Sequence, residues 1–347
     1  MSRRTRALLW GVLALSLVAG ALHYAGVPDL VAFAVAGLAL AGIAWVISFT
    51  TEQVGEHFGP AVTGVLQSTL GNLPEFFVVI FALSKGEIVV AQFSIIGSIF
   101  ANALLVLGFV IVVGARQSED GVMRFSARLP NDTTTLLLLS GFIIVLVGIS
   151  SNTHDKASDN IVTISAITSV AVLIVYGLWA FDYLRSETPE DRPPAKSNLR
   201  TSIILLALGG LGAAFVSEWF VDALRPTIDQ LGISAQFAGL VIVAIAGNAV
   251  EHAVGVVLAA KGQADLAISV VKNSISQVAA FLAPALVLVS LLFTEHLTYA
   301  IAPVYVAALA LTIISVWQVT GDGEARYFEG AALIATYVIL AVFTLYE

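Results

Sequence analysis

The sequence GNLPEFFVVIFALSKGEIVVAQFSIIGSIFANALLVLG, residues 71–108, decides the fold of this chain. A second stretch, GNAVEHAVGVVLAAKGQADLAISVVKNSISQVAAFLAP, occupies residues 247–284 and has the same plan: Gly-Asn, a glutamate, an apolar run, Lys-Gly and another apolar run. An offset of 176 positions, without a gap, aligns three pairs of polar residues: Glu75 with Glu251, Lys85 with Lys261, and Ser98 with Ser274. The match indicates an internal repeat whose unit is a membrane helical hairpin.

Most of the chain is predicted to lie in lipid. It has 347 residues, of which 58% are hydrophobic and 12% charged, and its mean hydropathy is +0.94, which is not typical of a soluble domain. Apolar runs of roughly 20 residues, the length that spans a bilayer, recur along the chain. They predict an all-α polytopic membrane protein with about eleven transmembrane helices, near residues 7–25, 29–49, 59–84, 88–114, 133–150, 160–182, 201–221, 234–259, 264–292, 297–317 and 327–346.

The composition excludes several classes of protein. The chain has no cysteine, so it has neither disulfides nor thiolate metal sites, and its five histidines lie too far apart for a zinc cluster. The net charge of −8, without a basic patch, gives no indication of a nucleic-acid partner. Because the sequence has no GxxxxGK[ST] loop, ATP is excluded as the driving force, and no cofactor is expected.

Basic residues predict the orientation in the membrane. With a cytoplasmic N-terminus, twelve Lys or Arg fall in cytoplasmic segments and three in external ones, as the positive-inside rule requires, and the C-terminus lies outside. The first apolar run follows three arginines and also has the form of a signal peptide. An uncleaved helix is preferred, because the next apolar run starts almost at once, around Asp29.

The polar segment SETPEDRPPAKSN separates two halves of the chain. Its charge and proline content rule out a membrane helix, so residues 185–200 are predicted to form a cytoplasmic linker. Five spans remain on each side once the first helix is set aside, and an odd number makes the halves inverted relative to each other. The predicted organisation is an N-terminal helix at 1–28, a five-helix repeat at 29–184, the linker, and an inverted five-helix repeat at 201–347.

The two motifs GNLPE and GNAVE have the chemistry of a cation site. Glycine permits local unwinding, and Pro74 has no N–H to donate, so backbone oxygens are freed nearby. Asn72 and Asn248 would add amide oxygens. Glu75 and Glu251 would add carboxylates, which membrane helices retain mainly where an ion or a proton binds.

A divalent cation fits this set of oxygens best. Calcium takes six to eight oxygen ligands and its charge balances two carboxylates, whereas sodium or potassium would leave surplus negative charge. Protons can replace the ion, because an empty site leaves both carboxylates in a low dielectric. The competing interpretation is helix-packing glycine with incidental polar neighbours, but the pairing of both motifs at a fixed offset favours a shared site.

At these residues the chain resembles the cation/proton exchangers of the calcium/cation antiporter superfamily, with residues 71–108 and 247–284 similar to that family's two alpha repeats. The resemblance implies that Glu75 and Glu251 bind the cation and the exchanged protons. It also implies that the second and seventh spans slide to open the site to each side in turn. The remaining site residues of the expected set are Gly71, Asn72, Gln92, Ser98, Asn102, Gly247, Asn248, Ser274 and Gln277.

Three further residues are expected along the ion path. Glu52 and Glu218, near the ends of the helices before each repeat, are similar to the family's acidic residues of the access path; the alternative is an interfacial carboxylate facing water. His252 follows Glu251 as in the family's second motif, where it either tunes the glutamate, relays a proton or simply packs.

Two features depart from the family's pattern. Leu73-Pro74 in the first motif resembles the sodium/calcium branch of the superfamily, so sodium coupling stays open. Lys272 lies about 10 Å along its helix from Asp265, too deep for easy access to water. We expect its ammonium to pair with Glu251 or Glu75 when the ion is absent, and a water-filled vestibule is the alternative.

The sequence therefore predicts a secondary antiporter, not an enzyme, that exchanges cytoplasmic calcium or a related divalent cation for protons. Sodium/calcium exchange, another monovalent cation/proton exchange and, more distantly, an intramembrane enzyme are the alternatives, the last lacking a catalytic constellation. The expected partners are calcium, protons and the lipid bilayer. Short loops and the charge bias favour a prokaryotic plasma membrane, and the sequence leaves the oligomeric state open.

Overall fold

The protein is a bundle of twelve helices in the part of the chain that the computed structural model describes, residues 3–58, 60–126, 128–153, 155–185 and 197–347. The helices are α1 Arg3–Ala25, α2 Asp29–Gly55, α3 Pro60–Leu70, α4 Leu73–Ser84, α5 Ile88–Ala115, α6 Arg128–Thr153, α7 Lys156–Arg185, α8 Leu199–Leu231, α9 Ala235–Ala260, α10 Ala264–Ser290, α11 Pro303–Thr320 and α12 Tyr327–Leu345. Ten of these are long and apolar enough to cross a membrane. The eleventh predicted span is the interrupted pair α3–α4, so the predicted all-α membrane fold is confirmed.

Two predicted spans differ from the helices. The span predicted at 201–221 is α8, which runs for 33 residues from Leu199 to Leu231. The span predicted from residue 297 begins only at Pro303, whose fixed φ suits the first turn of a helix. The residues before it form a loop, in which the Leu297 N–H donates to Ser290 Oγ at 2.9 Å.

The two hairpin turns, one in each motif, have the same backbone geometry. Gly86 and Gly262 have φ of 76° and 72°, a left-handed conformation that glycine adopts without steric cost. The residue after each glycine donates its N–H to a carbonyl five residues back: Glu87 to Ala82 at 2.8 Å, and Gln263 to Leu258 at 3.0 Å.

The long helices α2 and α8, the first helix of each predicted repeat, pack antiparallel against each other through small residues. A Cβ on Gly212 would lie 3.3 Å from Ile43, and one on Gly37 would lie 3.3 Å from the Phe220 ring. Phe33 stacks on the same ring, with centroids 4.6 Å apart. Close backbone approach of this kind is the usual basis of helix association in membranes.

Loop contacts distinguish the two faces of the bundle. Ser197, which follows the linker, donates to the Gln53 carbonyl at 2.9 Å near the end of α2, so we call this face the linker side and the opposite one the far side. Most of the predicted linker 185–200 lies outside the described residues. The loops before α6 and α12 also pair, as the antiparallel strands β1 Val122–Arg124 and β2 Glu324–Arg326, an element that the hydropathy pattern did not predict.

Candidate cation site

Glu75 lies at a helix break inside the bundle. α3 ends at Leu70 and α4 begins at Leu73, because Pro74 can occupy a first turn but not a helix interior. Asn72 precedes the new helix, and its carbonyl accepts from the Phe76 N–H at 2.9 Å. Glu75 is therefore in the first turn of α4, where free N–H groups favour an anion, and it is buried.

The second motif keeps its helix intact. Residues 247–251 lie within the regular part of α9, which has no proline at this point, and the nearest irregularity is the π-helical turn Ala238–Val243 before the motif. The unwinding expected near both motifs therefore occurs at the first only. Glu251 is partly exposed, whereas Glu75 is buried.

The two motifs meet with reciprocal contacts. Ser98 Oγ donates to Glu75 Oε1 at 2.5 Å, and Ser274 Oγ donates to Glu251 Oε2. A Cβ on Gly71 would lie 3.1 Å from Glu251 Oε1. One on Gly247 would lie 3.5 Å from Glu75 Cβ, so each glutamate faces the glycine of the other motif.

Asn248 joins the two halves of the site. Its Nδ2 donates to Ser98 Oγ at 2.9 Å and to Glu75 Oε2 at 3.3 Å, and it also reaches the Ala244 carbonyl at 3.0 Å. The site therefore combines two carboxylates with hydroxyl and amide groups from both repeats. Across the described ranges, no group of three or more His, Asp or Glu could hold a metal ion. The donors that surround the two glutamates are carboxylate, hydroxyl and amide oxygens, the ligand type of hard cations.

Three further predicted ligands, Asn102, Gln277 and Gln92, occupy different surroundings in the bundle. Asn102 Nδ2 donates to the Ser98 carbonyl at 3.0 Å, one turn along α5. Gln277 is buried at the end of the regular part of α10. Gln92, expected among the ligands, instead donates its amide to the Thr298 and Ala300 carbonyls at 3.0 and 2.8 Å, because it lies on the far-side end of α5 against the loop before α11.

Lys272 does not pair with either glutamate, contrary to the prediction. Its ammonium donates to Thr134 Oγ1 at 2.7 Å and to Thr320 Oγ1 at 3.1 Å, and the residue is 2% exposed, which also excludes a water-filled vestibule around it. The reason is helix geometry. Two residues correspond to about 200° of rotation, so Lys272 leaves α10 on the side opposite Ser274, which contacts Glu251.

The residues predicted along the ion path are dispersed. Glu52 is exposed near the linker-side end of α2, as expected. Glu218 is partly buried well inside α8, not near its end, because α8 is longer than predicted. His252 Nε2 is buried and has no hydrogen-bond partner within the described part of the chain.

A small cavity reaches Glu251 along α2. Ala44 and Ser48, in the half of α2 that ends on the linker side, line it together with Gly71 and Glu251. Gln67 Nε2 donates to Ser48 Oγ at 3.3 Å beside it. Sequence reasoning missed Gln67 and Ser48, although polar residues inside apolar runs were the available signal.

Ion pairs join the far-side turn to α8. In the turn between α4 and α5, Lys85 contacts the Asp222 carboxylate of α8, and Arg225 Nη1 lies 3.3 Å from Glu87 Oε2. In the matching linker-side turn, Lys261 forms no ion pair with any residue that the structure describes.

Paired glutamates from two repeated motifs, beside two long helices that pack on each other through small residues, are the arrangement of a secondary transporter. The sodium/calcium exchanger protein family matches residues 29–181 and 201–346, and the chain belongs to this family.

Individual relatives cover nearly the whole chain. A Ca(2+)/H(+) antiporter of Synechocystis is 31% identical over 344 residues, which cover 93% of this chain and 92% of that protein. A vacuolar calcium ion transporter of Schizosaccharomyces pombe is 32% identical over 320 residues, 88% of this chain and 76% of that protein. The solved structure of native YfkE matches with a TM-score of 0.82 and 26% identity, over 98% of this chain and 99% of that one.

Proposed function

We propose that this protein exchanges calcium for protons across a membrane, with Glu75 and Glu251 as the shared ligands of both. The reciprocal contact of the two motifs carries the proposal, because it gives one site two carboxylates with a serine hydroxyl on each. The hydroxyl and amide oxygens can turn toward a calcium ion. When calcium leaves, protons neutralise the carboxylates, so the two cargoes alternate at one place.

Alternating access is assigned to α2 and α8. Their glycine contacts permit sliding, and α8 also touches the break, since Ser217 Oγ donates to the Pro74 carbonyl at 3.3 Å. We further propose that the linker side and the N-terminus are cytoplasmic and that the membrane is a prokaryotic plasma membrane, on the basis of the basic residues. Because the chain has no cysteine, Glu119→Cys and Glu295→Cys can test this. An impermeant thiol reagent should label the first only from the cytoplasm and the second only from outside.

The deciding experiment is calcium uptake by inverted vesicles. A proton gradient, acid inside, should drive uptake, and Glu75→Gln and Glu251→Gln should each abolish it, whereas Glu119→Gln in an exposed loop should not. Uptake driven only by a sodium gradient would move the function to sodium/calcium exchange. Uptake that survives in both glutamate variants would overturn the site itself.

A further inference from the structure

A groove opens between α1 and the two long helices on the linker-side half of the bundle. α1 packs closely on its neighbours at two glycine contacts: Gly20 lies against Trp219, and Gly42 against Val12. Toward the linker side the three helices separate and leave a cavity of about 390 Å³. On α1 its wall is one face of the helix, formed by Arg6, Leu9, Trp10 and Leu13.

The groove is apolar and faces outward. Trp10 is 69% exposed and Leu208 of α8 is 58% exposed, and both belong to its wall. Ser16, a polar residue of the wall, donates its hydroxyl to the Val12 carbonyl of the same helix at 2.9 Å. In a membrane, a groove of this kind opens onto hydrocarbon, so an acyl chain is the material that fills it.

A single charged residue lies at the linker-side end of the groove. Arg6 is exposed, and none of the ion pairs in the described ranges involves it. A guanidinium presents five N–H donors in a planar fork that matches a phosphate. Basic positions between transmembrane helices, next to an apolar slot, are where anionic head groups bind.

We propose that this groove binds one anionic phospholipid, with its phosphate on Arg6 and an acyl chain between α1 and α8. The charge decides the class of lipid, because a zwitterionic head group carries a cation that Arg6 would repel. The slot is also bounded by Ile43 and Gly212, which belong to the contact between α2 and α8. An anionic lipid seated there therefore touches the helices to which transport is assigned.

The test uses the full-length protein in vesicles of phosphatidylcholine, titrated with phosphatidylglycerol whose acyl chains carry bromine, a contact quencher of tryptophan. The Trp10 signal is the difference between the protein and Trp10→Phe. We expect half-maximal quenching of Trp10 at a phosphatidylglycerol fraction about fivefold lower than for brominated phosphatidylcholine. Trp317, 59% exposed on α11, should show no such preference.

Arg6→Gln should remove the preference, and Arg4→Gln, an equal charge change on another face of α1, should keep it. Ser16→Phe, which fills the inner end of the groove, should reduce Trp10 quenching by both lipids, and thermal unfolding shows whether each variant is folded. Equal quenching by the two lipids, or equal effects of the two arginine variants, would overturn the proposal. If neither lipid quenches Trp10 and chemical cross-linking joins two chains through α1, the groove binds a second copy of the chain and the proposal is overturned.

Discussion

Gly71 lies directly against the carboxylate of Glu251, so that a Cβ at position 71 would lie 3.1 Å from Oε1. The reciprocal contact is looser, because a Cβ at Gly247 would lie 3.5 Å from the nearest atom of Glu75, an ordinary van der Waals distance. The same break that opens the first motif also directs Gly71 at the Gln67 carbonyl. The two glycines are equivalent in sequence but not in the space around them.

Gly71→Ala is therefore expected to reduce calcium transport strongly, and Gly247→Ala is not. The first methyl group, at position 71, would meet the Gln67 carbonyl and the Glu251 carboxylate. The resulting strain of about 1–3 kcal/mol corresponds to a roughly five- to hundredfold loss of transport rate. The second has room, and alanine in a helix is favoured over glycine by about 1 kcal/mol. Proton-driven uptake together with thermal unfolding of both variants measures this, and equal losses in the two would contradict it.

The serine of the first repeat is expected to be the more important of the pair. Ser98→Ala removes the donor to Glu75 and also an acceptor of Asn248, whereas Ser274→Ala removes one donor to Glu251. Hydrogen bonds to charged groups contribute about 1.5–3 kcal/mol, so we expect calcium half-saturation to rise about tenfold or more in Ser98→Ala and less in Ser274→Ala. The concentration dependence of calcium uptake measures both, and the reverse order would be inconsistent with the network described.

Lys272→Met is expected to increase both calcium affinity and thermal stability. The Lys272 ammonium is buried, and its described partners are hydroxyl groups and no carboxylate. Since a buried charge without an opposite charge is costly, an apolar side chain of similar length should raise the free energy of unfolding. Across a helix about 10–12 Å wide, its charge opposes a cation at Glu251 by on the order of 1 kcal/mol per unit charge, so half-saturation should fall at least severalfold. Lys272→Arg, which keeps the charge, is the control, and an unchanged half-saturation in Lys272→Met would show that the site does not sense this charge.

Asp155, in the loop before α7, is expected to make part of the protein's stability depend on pH. A hydrogen bond from Ser150 Oγ at 2.7 Å, and then those from the Ala157 and Ser158 N–H groups, hold the pKa of Asp155 below its ordinary value. Because the pKa of Asp155 is lower in the folded protein, its ionised carboxylate stabilises the fold. This stabilisation is complete above the pKa of the unfolded chain, about 3.9, and is lost as the pH falls through the pKa of the folded protein. Asp155→Ala should therefore lower the Tm at pH 7 and have little effect at the acid end.

The Tm of the protein, of Asp155→Ala and of the neighbouring control Asp159→Ala, measured from pH 7 down to pH 3, follows this dependence. A difference between the protein and Asp155→Ala that stays constant with pH would show that the ionised cap does not contribute.

The sequence was sufficient for features that depend on a local rule. Gly86 and Gly262 indicate the hairpin turns because the left-handed conformation favours glycine. Pro74 indicates the helix break because it has no N–H to donate to a helix carbonyl. Glu75 and Glu251 were identified because charge in an apolar span is costly. Each of these depends on the residue and its near neighbours.

Features that depend on rotation around a helix or on distant partners were not predictable. The direction of Lys272 follows from which side of α10 faces α6 and α11, and Thr134 and Thr320 are far from it in sequence. Gln92 was placed with the ligands on the resemblance alone, and the loop that binds it is 206 residues away. Nor does hydropathy indicate that β1 and β2 pair, since both lie in polar loops.

The ion pairs between α8 and the turn at Lys85 have no counterpart at Lys261 in the described residues, and we expect this difference to make the two half-cycles energetically unequal. We expect opening of the far side to separate Lys85 from Asp222 and Arg225 from Glu87, whereas the turn at Lys261 forms no ion pair with α2 or any other described residue. The carrier should therefore rest with its site toward the linker even without any gradient. Because these pairs are solvent-accessible, salt on the far side should weaken them and shorten the time that the site faces the linker side. The ionic strength on the far side should therefore regulate the turnover rate.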